Sequence, residues 1–320
     1  MEKVQLGKEG PLVTELCFGT LPMGPLQTNI SIDKGAEVIK YAINNGGINF
    51  LDTAHVYRTY GHIKEAVKNI NRGNFILASK TKASSYQEVQ TEVKEDLELL
   101  KLDYFDIFHI HAAREENPFE VRAEALNALV DLKQEGLIRN IGIATHYVKV
   151  VKEAALRDEV DIIFAIINKE GMGIVDGDAK DMLSALKKAK SNDKGIYAMK
   201  TLAGGRLINE VESSINFIRK KEFIDVLAIG MVDKKEVDFN IALFNNDEKR
   251  VKELTNEMKV KNYKKLRIMS HLCTKCGNCV EECPNFALHL GKNSSEVDHS
   301  KCILCGYCTR VCPELAIRIA

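Results

Sequence analysis

Eight of the nine cysteines fall in one short stretch, and their spacing names a chemistry. Cys273, Cys276, Cys279 and Cys283 are followed by Pro284; Cys302, Cys305, Cys308 and Cys312 are followed by Pro313. The pattern C-x2-C-x2-C-x3-C-P is thus written twice. A 4Fe–4S cube takes four thiolates, so eight thiolates supply two cubes. Three closely spaced cysteines wrap three corners of one cube, and the fourth, before the proline, lies too far round and reaches the other. Cys273, Cys276, Cys279 and Cys312 are therefore assigned to one cluster, and Cys302, Cys305, Cys308 and Cys283 to the second. Zinc also uses paired C-x2-C motifs, but a tetrahedral site has no need of a third cysteine at the same spacing and a fourth before proline, twice. A disulfide framework belongs to exported chains. Cys17 stands apart in Leu16-Cys17-Phe18 and reads as a buried, inert thiol.

A second set of reactive types lies far upstream, in Leu51-Asp52-Thr53-Ala54-His55-Val56-Tyr57, in Ser79-Lys80, and in Asp106-Ile107-Phe108-His109-Ile110-His111. A carbonyl being reduced gathers negative charge on oxygen and must take up a proton. Tyrosine is a usable acid if its pKa falls from about 10. A neighbouring Lys⁺ lowers it by favouring phenolate, a carboxylate keeps that lysine charged, and a neutral imidazole donates to the carbonyl. Asp52, Lys80, Tyr57 and His111 are those four types. Asp52 and Lys80 could alternatively form only a buried ion pair. Tyr60 competes with Tyr57 as the acid, and His109 shares a strand face with His111 one layer deeper. A core role and a pocket role are equally open for His109. For His55 and His146, on loops at the same end, substrate contact and plain surface exposure are equally open.

These groups need elements to hold them. After an opening hairpin (Val4 to Val13, with Gly10-Pro11 near its turn), eight apolar runs follow at 16–18, 48–51, 75–78, 104–110, 138–143, 161–167, 195–199 and 224–229. Helical periodicity lies between them, as in Ala36-Ile39-Lys40-Ile43 and Val89-Val93-Leu97-Leu100. Strands alternating with helices imply parallel pairing and right-handed crossovers. Eight such units fit an α/β fold of the (β/α)8 TIM-barrel type, whose active sites sit at the C-terminal strand ends. An open doubly wound sheet is the alternative, disfavoured because no G-x-G-x-x-G follows the first strand. Helix eight is expected from near Asp233 past Phe239. The loops after strands four to seven are short, Gly171 to Gly177 for example, which implies either an open mouth or one covered by the cysteine-rich segment.

On these motifs, residues 1–245 resemble the aldo-keto reductase family. The matching positions are Asp52 and Tyr57 in D-T-A-x-x-Y, Lys80 in S-K, His111 closing D-I-F-H-I-H, and Gly19-Thr20-Leu21 in the cofactor-side loop. Residues 269–320 resemble bacterial two-cluster ferredoxins, a small α+β domain, and residues 246–268 read as a basic helical linker. Together the chain looks like the ferredoxin-fused branch of the family. The resemblance implies an oxidoreductase that reduces a small aldehyde or ketone with NADPH or NADH and carries two 4Fe–4S clusters. The nicotinamide contacts depart from the family pattern. Ala144-Thr145 stands for Ser-Asn, Phe164 for a glutamine, Met199 (before Lys200) for a stacking tyrosine, and Gly230-Met231-Val232-Asp233-Lys234-Lys235-Glu236 for the segment gripping the 2′-phosphate. Asp233 and Glu236 would repel that phosphate, whereas Gly230 and the helix start after it can cradle one through backbone N–H groups. Nicotinamide moves two electrons and each cluster one; a flavin normally mediates, and no flavin motif is present. Two alternatives therefore stand beside the main expectation. One is a cluster-driven reductase fed by ferredoxin or another donor without nicotinamide. The other is an electron-transfer or docking protein with a non-catalytic barrel.

Composition narrows the partners. Lys+Arg and Asp+Glu balance at 45 each, so no global field draws the chain to nucleic acid or membrane. Met1-Glu2-Lys3-Val4 shows no apolar signal core and no run approaches a membrane span, so a cytoplasmic location is expected. A redox partner protein is a further expectation. The linker cluster Lys259, Lys261, Lys264, Lys265 and Arg267 reads as a solvated helix or as a docking surface for an acidic partner.

Overall fold

The computed structural model describes residues 1–112, 115–257 and 265–319. The chain opens on a hairpin, β1 (Lys3–Gln5) against β2 (Leu12–Thr14). Eight parallel strands then close into a barrel: β3 (Leu16–Gly19), β4 (Phe50–Asp52), β5 (Ile76–Thr81), β6 (Phe105–Ala112), β7 (Ile138–Thr145), β8 (Ile162–Ile166), β9 (Gly195–Met199) and β10 (Val226–Gly230), which returns to β3. All eight coincide with the apolar runs. Parallel strands covered on both faces are largely apolar, which is why they read as apolar runs rather than alternations.

The helices are α1 (Ile32–Asn44), α2 (Tyr60–Val67), α3 (Tyr86–Leu100), α4 (Pro118–Val121), α5 (Ala123–Gln134), α6 (Val148–Ala154), α7 (Ala179–Ser191), α8 (Val211–Arg219) and α9 (Lys234–Phe244). Four of them start on a side-chain cap, Ser31, Ser85, Asp178 and Asp233, with Ser85 and Asp178 forming capping boxes with Glu88 and Asp181. Two cores result. One fills the barrel with inward residues such as Cys17, Phe50, Ile107, Ile162 and Tyr197, and the hairpin residues Leu6 and Val13 pack against it. The other lies between strands and helices. Among the described residues no helix is long and apolar enough to cross a membrane.

Beyond the barrel, α10 (Glu248–Glu257) lies on α9 and buries Val251 and Leu254. This part of the expected linker is therefore a packed helix rather than a solvated one, because two apolar residues at helical spacing need cover. Lys259, Lys261 and Lys264 lie outside the described residues. The cysteine-rich module begins before Met269: β11 (Leu266–Ile268) pairs antiparallel with β14 (Ile317–Ile319), so the last three residues of the expected linker are a strand of this module. Between them come α11 (Asn278–Glu282), the hairpin β12 (Leu288–Leu290) with β13 (Ser295–Val297), and α12 (Tyr307–Arg310).

Candidate active site and iron–sulfur module

Three successive strand ends present Asp52 (β4), Lys80 (β5) and His111 (β6), and a 3-10 turn, His55–Tyr57, presents Tyr57. The register sets their heights: Asp52 pairs with Ala78 and Lys80 with His109, so Lys80 and His111 stand one layer above Ala78 and His109 on the same inward face.

Lys80 is 1% exposed, and its Nζ lies 2.7 Å from both Asp52 carboxylate oxygens and 2.6 Å from the Thr53 carbonyl. All three ammonium protons are thereby used. Burial pulls the lysine pKa down and the carboxylate pKa up, each opposed by the other's charge. Removing one partner would strand a buried charge at a cost of about 3–5 kcal/mol. Asp52 is held from below by Tyr197, whose hydroxyl donates to Oδ2 at 3.0 Å and lies 2.6 Å from His109 Nε2. Tyr197 stacks on Phe164 at 3.8 Å between ring centres. His109 is thus a core histidine, kept neutral by burial and by Lys80.

Tyr57 faces this pair, with Lys80 Nζ 5.3 Å from its ring centre. The sequence argument expects the lysine to lower the phenol's pKa; the structure reverses this. Burial, then the Asp52 carboxylate, push the Tyr57 hydroxyl upward, and no ammonium proton remains for it. Tyr60 is turned away, its hydroxyl donating to Asp96 at 2.7 Å and touching Ser79 at 2.6 Å. His55 is likewise engaged by Asp96, at 2.9 Å. His111 is pushed well below its ordinary pKa by burial first and then by Lys80, so it is a neutral imidazole.

The module covers this end of the barrel. Arg206 Nε donates to the Cys302 carbonyl at 3.0 Å, Asn285 Nδ2 to the Gly173 carbonyl at 2.8 Å, and Gln27 Nε2 to the Leu304 carbonyl at 3.3 Å. Lys82 ion-pairs with Glu282. Two glycines let the backbones approach: a Cβ on Gly204 would lie 1.9 Å from the Ile303 carbonyl oxygen, and one on Gly306 2.2 Å from that of Leu26, and both have positive φ. The mouth is therefore covered, not open. Tyr307 reaches into the mouth; its hydroxyl lies 2.9 Å from His111 Nε2, and it packs in one cluster with Tyr57.

A chamber of about 290 Å³ remains, and Asp52, Tyr57, Lys80 and His111 share its wall with Cys305 and Tyr307 of the module. Gly19, Leu21, Met199, Lys200 and Gly230 line it, with Phe164 and the buried His146. Lys200, at φ 56°, lies near Cys305 and Cys302; burial lowers its pKa and the sulfurs oppose this. Burial also brings the His146 pKa down to about 3. Three expected cofactor residues do not line the chamber. Thr20 ties the loop after β3 to the Asp52 carbonyl and to Thr59. Thr145 Oγ1 accepts from the Tyr147 N–H at 3.1 Å. Met231 is in the core between strands and helices. Each follows directly on an inward position (Gly19, Ala144, Gly230), and the alternation of a strand end turns it away. Asp233 and Glu236 cap α9, accepting from the Glu236 and Val232 N–H groups, and line a separate groove of about 1180 Å³ between α8, α9 and α10.

The cysteines suit the clusters their spacing implies. Cys283 lies with Cys302, Cys305 and Cys308, and Cys279 with Cys273 and Cys276. Backbone N–H groups donate to sulfur in both halves, Ala287 to Cys283 and Ala316 to Cys312, each at 3.2 Å. Cys17 is a buried barrel-core thiol.

Sequence reasoning missed Tyr307 and Tyr197. A signal for Tyr307 existed: Cys305-Gly306-Tyr307-Cys308 repeats Cys276-Gly277-Asn278-Cys279 with a large aromatic ring in place of asparagine. Tyr197 sits two residues before Met199, at inward parity.

Comparison with known proteins agrees with both parts. A model described as "Aldo/keto reductase family" matches residues 15–282, and one described as "4Fe-4S dicluster domain" matches residues 265–313. The chain is similar to an L-galactose dehydrogenase of Arabidopsis thaliana, 29% identical over 66% of this chain and 69% of that protein. It is also similar to an NADH-specific methylglyoxal reductase of Escherichia coli, 28% identical over 52% of this chain and 58% of that one. An aldo-keto reductase structure from Bacillus halodurans superimposes with a TM-score of 0.63 at 21% identity, covering 79% of this chain and 96% of that one, which speaks for the fold alone.

Proposed function

The chain belongs to the aldo/keto reductase family, and from that premise we propose that it reduces the carbonyl of a small aldehyde or ketone at Tyr57 and His111, with NADPH or NADH as donor. The observation that carries this reading is the convergence of Asp52, Lys80, Tyr57 and His111 on one chamber. His111, neutral because it is buried, presents Nε2 to the carbonyl oxygen. A donor fixed there before reaction needs no reorganisation as charge develops. Tyr57 stays protonated because burial and Asp52 oppose phenolate, so its proton is ready for an alkoxide, which is a stronger base than phenolate. Lys80, clamped by Asp52 and Thr53, fixes positive charge beneath the phenol. Gly19, Leu21, Met199, Lys200 and Gly230 would hold the nicotinamide, which when bound supplies hydride. Cys273, Cys276, Cys279 and Cys312, and Cys302, Cys305, Cys308 and Cys283, would hold the clusters, which when bound supply single electrons. Thiols that must stay reduced fit the cytoplasm. In this reading residues 1–257 are the catalytic barrel and the module from Leu266 onward is its electron-transfer domain. The Tyr57→Phe variant should lose about 10²–10⁴-fold in kcat/KM for nicotinamide-dependent carbonyl reduction; full activity would overturn the reading.

One observation favours a second reading. Cys305 lines the same chamber as the tetrad, so a substrate there would stand beside a cluster ligand and need no nicotinamide. Anaerobic titration of the iron-loaded protein with NADPH and then NADH separates the two. Binding of a nucleotide supports the first reading. Binding of neither supports the second, in which reduced ferredoxin or dithionite would serve as donor.

A further inference from the structure

Tyr57 and His111 are the two groups that would grip a carbonyl oxygen, and one oxygen already lies against His111. It is the hydroxyl of Tyr307, 2.9 Å from His111 Nε2, with Tyr57 packed in the same cluster and its ring edge-on to His111 at 5.9 Å. The Tyr307 ring is buried at 6% exposure and meets His111 edge-on, 5.9 Å between centres. Lys82, from the end of β5, holds that ring from outside with its ammonium 4.8 Å from the ring centre, and pairs with Glu282 of the module. Among the described residues His111 Nδ1 has no hydrogen-bond partner, so Tyr307 is the imidazole's hydrogen-bonding contact. The neighbouring ammonium, Lys80, has its three protons committed to Asp52 and Thr53. The Tyr307 oxygen therefore occupies the place a substrate oxygen needs.

Resting on the carbonyl-reduction reading above, we propose that Tyr307 is a specificity-determining residue of the site. Its hydroxyl is a built-in occupant of the oxygen position, and a carbonyl compound is accepted only if its oxygen displaces that hydroxyl from His111. The module thereby supplies the competitor that each substrate must outbid, and the chamber beside Gly19 and Lys200 takes the rest of the molecule.

The test uses the full iron-loaded protein under anaerobic conditions, with benzaldehyde as probe. Two readouts are taken: the dissociation constant by calorimetry without nucleotide, and the split between KM and kcat. Tyr307→Phe keeps the ring and removes the oxygen; iron content and visible absorbance report whether the module is intact. Kd and KM for benzaldehyde should both fall about tenfold, the scale of a displaced hydrogen bond that no longer has to be broken. Lys82→Met, which frees the ring without touching the oxygen site, should shift both about threefold in the same direction, and decides the matter should Tyr307→Phe not fold. Unchanged or raised Kd and KM in these variants would overturn the proposal. So would a loss in kcat of about a hundredfold at constant KM, which would make Tyr307 a proton donor instead. The two readings fail separately. If Tyr57→Phe retains turnover, the carbonyl-reduction reading falls; if Tyr57→Phe abolishes turnover while Tyr307→Phe leaves Kd and KM alone, only the Tyr307 inference falls.

Discussion

The two halves of the cysteine-rich module share one backbone and meet different surroundings. Lys275 and Leu304 have φ of 59° and 52°, Gly277 and Gly306 86° and 83°, Phe286 and Leu315 52° and 49°. Yet a Cβ on Gly277 would meet nothing within 4 Å, whereas one on Gly306 would strike the Leu26 carbonyl. Cys276 is exposed and Cys305 buried; Asn278 is exposed and Tyr307 buried. Thr274 and Lys275 face solvent where Ile303 is buried and Leu304 half-buried. The same loop thus serves once as a surface and once as the lining of a barrel mouth. The difference resides in three side chains, Ile303, Leu304 and Tyr307, and not in the fold of the loop.

That contrast can be broken or sharpened by paired substitutions. The largest gap is expected between Gly306→Ala and Gly277→Ala. Both place a Cβ at positive φ, at about 1–2 kcal/mol, but only Gly306→Ala also forces apart the barrel and module backbones, for a total of about 3–4 kcal/mol in chemical denaturation. Equal losses would mean the seam is not as tight as the 2.2 Å approach implies. Next, Ile303→Ala should cost about 2–3 kcal/mol by leaving a cavity against Leu26, Val56 and Tyr57, while Thr274→Ala should stay within about 0.5 kcal/mol. The difference in thermal midpoint reads this directly. Third, chelator-driven iron loss should be biphasic, with the cluster of exposed Cys276 leaving several-fold faster than that of buried Cys305. A single phase would argue that the module opens as a whole before any iron is lost.

The smallest effect lies away from the seam. The Asp96 hydrogen bond raises the His55 pKa above its ordinary value. A raised folded-state pKa stabilises fully below the unfolded value of about 6.5, and this stability is lost as pH climbs through the raised one. His55→Gln should therefore flatten the fall in denaturation midpoint between pH 6 and pH 9. The same fall should persist in Gly306→Ala, because that pair sits within the barrel; its disappearance would show that seam and barrel are coupled.

Much of this was legible before any coordinates, for a physical reason. Asp52, Lys80 and His111 are local features of consecutive strand ends, and a closed parallel barrel admits little freedom in where those ends point. The repeated cysteine spacing is legible because ligation of one cube is itself a short-range constraint. Tyr307 was not legible as an active-site residue, since its contact with His111 crosses 196 positions of chain and no periodicity encodes it. Thr20, Thr145 and Met231 stand one position past inward-facing strand residues, and a one-residue step along a strand end changes which face a side chain takes. The upward shift at Tyr57 was missed because charge type can be read from letters but burial cannot.

The burial of Cys305 and Cys308 also bears on how the chain is made. The barrel strands leave the ribosome before the segment that closes their mouth. Once that segment has settled, Cys305 is shut against Leu26 and Tyr57 and Cys308 lies in the module's own core, away from any carrier delivering iron and sulfide. Metallation has to precede closure, so a pulse-labelled chain should gain iron before it gains resistance to protease. Chains that close empty would be stranded as apoprotein, and iron supply during synthesis, rather than afterwards, would set how much finished enzyme a cell holds.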